Sequence, residues 1–474
     1  MLKKRCLTFI AVIFIQLTTF GKAALSLPEP SVDLRVELLS IVFRLAGNPE
    51  YNGEDNVAYV KAIHQHFDPF INHPAVRYAK MLRDSNGISY DKVMSMAVHL
   101  KAPPALTPIV PFSVELPDKR WTVPQAIKFT TLLQQFYKDA GCAAFFDAQK
   151  PRYQLAKERF DLLFKKLDAS WYRQFYGSAG SEQFNIIIGL GNGGGNYGPH
   201  LNIPGKQQTA YAIIGPGSFD EQGDPTFEID SYLPTLIHEF NHSFINYLSD
   251  LYEKELTKPG QLIFEKEGPK MLRMAYGEWK TMLNEAMVRA AVILYLERHD
   301  TNKAIIDQEI KSEQSRGFVW MPQLVELLHR YEASRDKYPT LQSFMPEVVN
   351  FYQNVSANIN KYEEDYLQHC AKVVSVAPFK NGDNNVDAAV SEITFNFDKP
   401  LDGNRYFFGP GEKGMSHYPK SLKLTFSNDN KSLIMKVQLL PNTEYQISIA
   451  GSRMRTSDGY SVQNYTLDFK TGGK

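Results

Sequence analysis

The chain has 474 residues, too many for one typical domain, so two or three are expected. Hydrophobic residues make up 43% and charged residues 22%, the balance of a soluble globular protein with sizeable cores. Lys+Arg and Asp+Glu are equal at 52 each, with no long basic run, which speaks against a nucleic-acid partner.

At the N-terminus, Lys3, Lys4 and Arg5 precede the apolar run "LTFIAVIFIQLTTF", and the small residues of "GKAALS" follow. This is the layout of a secretory signal peptide over residues 1–23, with cleavage after Ala23. The run is short for a bilayer, which takes about 20 apolar residues, and no second run is long enough. An exported chain, secreted or periplasmic, without a transmembrane span after cleavage is therefore expected. Cys6 precedes the apolar run, unlike a lipoprotein acceptor. Cys142 and Cys370 remain, too few for a cysteine-rich zinc site; they are as consistent with buried thiols as with a disulfide.

Residues 24–170 are expected to form a helical N-terminal portion. "SVDLRVELLSIVFRLAG" sets Leu34, Val36, Leu38, Leu39, Val42 and Leu45 close to a helical stripe, and Gly47 follows as a stop. "VPQAIKFTTLLQQFYKDA", with Pro124 near its start, and "RYQLAKERFDLLFKKLD" repeat the pattern. The texture changes in residues 171–372. "FNIIIGL" and "TAYAIIG" predict strands, "GNGGGNYGPHLNIPGKQQ" between them predicts a loop, and helices return to about Lys372. Residues 373–474 carry short alternating segments separated by turns, the pattern of an all-β sandwich. In "ITFNFDKPL", "LPNTEYQISIAG" and "YTLDFKTG" this part resembles bacterial Ig-like modules appended to secreted enzymes. Nothing in it points to catalysis, and "RYFFGPGEKGMSHY" fits ordinary turn residues better than a ligand loop.

Gly189 to Gly194 fits G-x-G-x-x-G after a strand, yet prolines and glycines occupy the place where a dinucleotide fold needs a helix. A flexible glycine loop beside a cleft is the better expectation.

The chemistry concentrates in "LPTLIHEFNHSFINYL". Leu233, Leu236, Ile237, Phe240, Phe244 and Leu248 form an apolar helical face; Asp230 or Ser231 can cap its start, and Pro234 suits a first turn. His238 and His242 are i and i+4, so both imidazoles leave one side of the helix and suit two corners of a zinc tetrahedron. Glu239 is placed to act on a water rather than to ligate. The bland alternative is a polar helix face that reads His-Glu-x-x-His by coincidence. The preceding strand is also a candidate sheet edge for an extended peptide.

A zinc hydrolase needs a third ligand, and no third histidine follows at short spacing. Glu285 is the best candidate, because Met282, Ala286, Ala290 and Ile293 make its helix apolar and a buried acid needs a partner. Glu278, nearer the helix start, is the runner-up; Asp250 and Glu253 lie too close to the first helix to fold back. A donor for the transition-state oxyanion is also expected. Tyr197, His200, Tyr276, His329 and Tyr331 can all serve, and Tyr276 is weakly preferred.

"HEFNH" followed by "NEAMVRA" is similar to the gluzincin class of zinc metallopeptidases, over about residues 184–296. "VELLSIVFRLAGNPEY" with "HPAV" resembles an uncharacterised family of exported bacterial zincin-like proteins. The resemblance implies an α+β zincin-like catalytic domain cutting peptide bonds in a peptide or protein substrate. His238, His242 and Glu285 would hold Zn2+ and Glu239 would be the general base. Two departures stand out. "LTKPGQLIFEKEGPKMLRMAYG" lengthens the gap between ligand helices, and Arg289 occupies the place of an aspartate in the thermolysin-like pattern. Arg289 is suited to orienting Glu285, to binding a substrate carboxylate, or to a salt bridge elsewhere. The rival functions are a binding protein on a zincin scaffold and a zinc hydrolase of non-peptide amides or esters.

Overall fold

A computed structural model describes residues 28–53, 57–177, 182–274, 276–299 and 301–473, so the expected signal peptide lies outside the described residues. The first part is helical: α1 (Leu34–Leu45), α2 (Ala58–Phe67), α3 (Pro74–Asn86), α4 (Asp91–His99), α5 (Val123–Asp139), α6 (Cys142–Phe164) and α7 (Ala169–Tyr176). Local chemistry sets these boundaries. The Asp33 carboxylate accepts the Arg35 N–H at the head of α1, and Thr122 with Gln125 forms a reciprocal capping box on α5, where Pro124 needs no donor. Short strands follow: β1 (Glu182–Ile188), β2 (Asn196–Tyr197), β3 (His200–Leu201), β4 (Gln208–Ile214), β5 (Ser218–Phe219) and β6 (Pro225–Thr226). Then come α8 (Ile229–Leu251), α9 (Glu253–Leu272), α10 (Trp279–Arg298), α11 (Lys303–Arg316), α12 (Met321–Ala333) and α13 (Leu341–His369). The chain ends in β7 (Val373–Ala377), β8 (Glu392–Phe397), β9 (Phe408–Gly409), β10 (Lys420–Phe426), β11 (Ser432–Gln438), β12 (Glu444–Ile449) and β13 (Tyr465–Lys470). The architecture is α+β with a helical N-terminal portion. Among the described residues, no helix is long and apolar enough to cross a membrane.

The small sheet beside the site corrects two expectations. β4 is not an edge: it pairs parallel with β1 on one side and antiparallel with β2 and β3 on the other. The segment expected to be loop supplies the edge instead. β2 and β3 keep one continuous register against β4, interrupted at Gly198-Pro199, where the Pro199 carbonyl still accepts the Tyr211 N–H at 2.9 Å. Proline has no N–H to return, so the ladder breaks there and periodicity across so short a segment is illegible.

The first half of the glycine loop is packed into the protein. Gly189, Leu190, Gly191 and Asn192 are buried. The Glu37 carboxylate accepts the N–H groups of Leu190 (2.7 Å) and Gly191 (3.1 Å). The loop's anion-binding backbone is thus satisfied from within the protein. Gly193 has φ +65°, and a Cβ there would come within 2.4 Å of the Glu50 carbonyl oxygen.

α1 departs from a simple stripe as well, since every residue from Val36 to Leu45 is buried, Glu37, Ser40 and Arg44 included. One hydrophobic core runs from Val36 to Cys370, joining the N-terminal helices to the elements around α8. The C-terminal strands enclose a second core between two sheets ordered β10-β11-β8-β7 and β13-β12-β9. Cys142 and Cys370 are buried free thiols.

Burial pushes the Glu37 carboxyl up to about 7 from an ordinary 4.5, against hydrogen bonds from Tyr59, Leu190 and Gly191. Between those values the folded state holds a proton that the unfolded chain releases, so the contribution is complete at low pH and is lost as pH rises through about 7. Its ceiling is on the order of 3 kcal/mol. Urea denaturation from about pH 5 to pH 8 is expected to show declining stability, and Glu37→Gln should flatten the decline. An unchanged slope in the variant would assign it to other groups.

Candidate metal centre

α8 begins earlier than its sequence suggests. The N–H groups of Ser231 and Tyr232 both donate to the Glu228 carbonyl, so Glu228 is the cap position and makes no side-chain cap. Asp230 and Ser231 therefore lie inside the first turn, and Pro234 is an interior residue rather than a first-turn one. The carbonyl it leaves unpaired is that of Asp230, an exposed residue at the helix head where solvent can serve it. Behind α8, Phe244 stacks on Tyr176 at 4.4 Å and on Tyr172 at 5.5 Å, and Phe240 lies 4.1 Å from Phe184.

That seat turns His238, Glu239 and His242 towards the cleft. The Nε2 atoms of His238 and His242 are 3.2 Å apart. Across from them on α10, Glu285 places Oε2 3.5 Å from His238 and Oε1 3.5 Å from His242. The two Glu285 distances belong to different oxygens; with one donor atom taken from each residue, the three lie within 4.8 Å of one another, close enough to converge on a small ion held at about 2.0–2.1 Å. The three residues form a group that can hold a metal.

Their surroundings prepare them for it. His242 Nδ1 is 3.1 Å from Asn246 Oδ1; an amide oxygen only accepts, so the proton sits on Nδ1 and the Nε2 lone pair faces inward. Burial holds His238 neutral, its pKa lowered to about 3. Burial alone would raise Glu285, but the Arg289 guanidinium and the Tyr276 hydroxyl offset it, and its carboxyl stays below the ordinary range. The Tyr276 O–H donates to Glu285 Oε2 at 2.8 Å. Arg289 Nη2 in turn donates to the Tyr276 oxygen at 2.7 Å and lies 3.3 Å from Glu285 Oε2. Its Nη1 donates to Glu313 on α11 at 3.0 Å, and Arg316 pairs with the same carboxylate. Arg289 thus orients Glu285 and makes a salt bridge at once.

Glu239 borders two cavities. One of about 190 Å³ adds Gly198, His200, His242 and Asn246; the other, of about 490 Å³, adds Pro234, His238, Tyr276 and Arg289. A Cβ at Gly198 would come within 3.1 Å of Glu239 Oε2, so the glycine leaves that carboxylate room. Burial, with Glu285 nearby, raises the Glu239 carboxyl above its ordinary value. Glu278 is an exposed cap residue of α10, where it accepts from Thr281, and Asp250 and Glu253 share Lys280. Of the expected oxyanion donors, Tyr276 and His200 border the site. Tyr197 is buried in the edge strand, Tyr331 donates to the Phe175 carbonyl, and His329 pairs with Glu297. Asn246, four residues after His242, was within reach of the i, i+4 rule; Glu313 carried no sequence signal.

The family model described as a domain of unknown function (DUF4932) matches residues 31–351. The chain belongs to this family. The DUF4932 region contains every residue of the site and stops short of the β-sandwich. No curated protein matches the chain. Similar solved structures include CopC from Methylosinus trichosporium OB3b, at 14% identity over 22% of this chain and 94% of that one, with a TM-score of 0.18. Domains 1–6 of the surface layer protein SbsC match at 15% identity over 52% of this chain and 37% of that one, with a TM-score of 0.17. The S-layer protein rSbsC(31-844) matches at 12% identity over 84% and 45%, with a TM-score of 0.18. The chain spans less than half of either surface-layer structure, and superpositions this loose carry no statement about fold.

Elemental analysis and calorimetry should find about one divalent ion per chain. Glu285→Ala should abolish tight binding, Glu278→Gln should leave it intact, and Tyr276→Phe should weaken it by ~10- to 100-fold. Metal retained by Glu285→Ala would remove Glu285 from the ligand set.

Proposed function

We propose that this DUF4932 protein is an exported zinc-dependent metallopeptidase with a zincin-like site, followed by an Ig-like module. The carrying observation is the close grouping of His238, His242 and Glu285 as potential donors with the Glu239 carboxylate beside it. When bound, zinc supplies Lewis acidity, acidifying a water and polarising a substrate carbonyl.

The protein's own groups do the rest. Glu239, raised in pKa by burial, accepts the proton of the attacking water and hands it to the leaving amine. Tyr276 and Arg289 hold Glu285 by Oε2. His200, across the smaller cavity, is the candidate donor to the developing oxyanion. The edge strand favours a peptide substrate: Pro199 turns its carbonyl to β4, so the alternate residues Gly198 and His200 turn their main-chain groups outward, where an extended peptide can pair. A non-catalytic binder has no use for a carboxylate in Glu239's position, and a hydrolase of small amides has none for an open strand edge.

Glu239→Gln is expected to keep its zinc and thermal stability while peptide cleavage falls by ~10²- to 10⁴-fold, as read by mass spectrometry of peptide digests. Full cleavage by that variant would overturn the assignment of the base.

A further inference from the structure

The larger cavity at the site does not end at α10. Glu309 on α11 lines it, and the same residue lines a third cavity of about 640 Å³. That cavity lies between α11 and the loops of the C-terminal sandwich. Asp307, Gln308 and Ser312 form one wall, and Asp402, Arg405 and Ser457 the other. The two walls are fastened together. Lys311 Nζ donates to the Asp458 carbonyl at 2.6 Å and lies 4.8 Å from the centre of the Tyr460 ring, and Arg455 reaches Ser315 at 3.4 Å.

From the structure we infer that the three cavities form one substrate track, in which the C-terminal sandwich supplies distal subsites for an extended, hydrophilic polypeptide. This rests on the metallopeptidase reading of the site and names its substrate class. Two features carry it. The cavities lie on both sides of Glu239 along α8, so a chain can continue in either direction past the cleaved bond. From Asp230 to Asn246 the helix rises about 24 Å at 1.5 Å per residue, the length of ~7 residues of extended chain. Reaching the sandwich takes a longer ligand, since α11 itself is about 10 Å across. Apart from Ala304 and Gly459, the third cavity is lined by charged, hydroxyl and amide side chains, with no aromatic ring among them, which suits a polar polypeptide rather than a stacked sugar.

The test is fluorescence anisotropy with the zinc-loaded Glu239→Gln protein and two labelled random peptide pools of equal composition, about 6 and about 20 residues long. The longer pool should bind at least ~10-fold tighter. Ser457→Trp, an exposed position that would plug the track from the sandwich side, should shrink the difference to about twofold; Ala304→Trp plugs it from α11. Equal binding of both pools, no binding of either, or an undiminished preference in both plugged variants would overturn the inference. Mass spectrometry of the same pools with the unaltered chain separates the two ideas. Length-dependent binding without cleavage retires the peptidase and keeps the track, whereas cleavage without length dependence does the reverse.

Discussion

A single buried amide governs the geometry of the site. Asn241, fully buried between the two histidine positions of α8, accepts from the Tyr176 hydroxyl on α7 at 2.9 Å and donates to the Val288 carbonyl on α10 at 3.3 Å. A buried amide stripped of partners costs about 1–3 kcal/mol, so α7, α8 and α10 cannot slide past one another without penalty. Val288 lies one turn beyond Glu285, so the bond that fixes the helix pair also fixes the distance from both histidines to the carboxylate. Stacked aromatics behind α8 resist tilting where the amide resists sliding.

Around that anchor the Glu285 carboxylate is held from one side. A guanidinium follows it by one turn, and it also binds Tyr276 and Glu313. A cation beside a carboxylate draws electron density from it. As a metal donor Glu285 would therefore gain orientation at the expense of strength, and α11 becomes part of the site although it adds no residue to the donor group.

Sequence carried the site further than the fold. The i, i+4 histidines are legible because a helix converts spacing directly into direction, and Glu285 is legible because an acid in an apolar helix demands a partner. The edge strand was not, because two residues on either side of Gly198-Pro199 give no alternation to detect and its partner lies across the sheet. Pro234 misled for a related reason: first-turn proline is a statistical preference, while the turn at Glu228 is set by backbone hydrogen bonds that leave no mark on side chains. The burial of Glu37 and Arg44 within α1 was hidden because periodicity reports apolar residues and says nothing of polar ones that find partners in the interior. The Tyr276–Arg289–Glu313 chain joins residues from separate elements, and no local pattern links them.

The shared core has a consequence for how such a protein could be kept silent. Ser31 pairs beside Ile187 at the outer side of β1, and the Ile188 N–H donates to its carbonyl at 2.9 Å. Glu37 grips the loop that leads into the edge strand, and Glu50 packs against its turn. The segment from Ser31 to Glu50, α1 included, is thus a foundation of the cleft. If the protein is the proposed peptidase, a zymogen activated by cutting that segment away would lose the strand edge it was meant to uncover, so latency would have to be imposed from elsewhere.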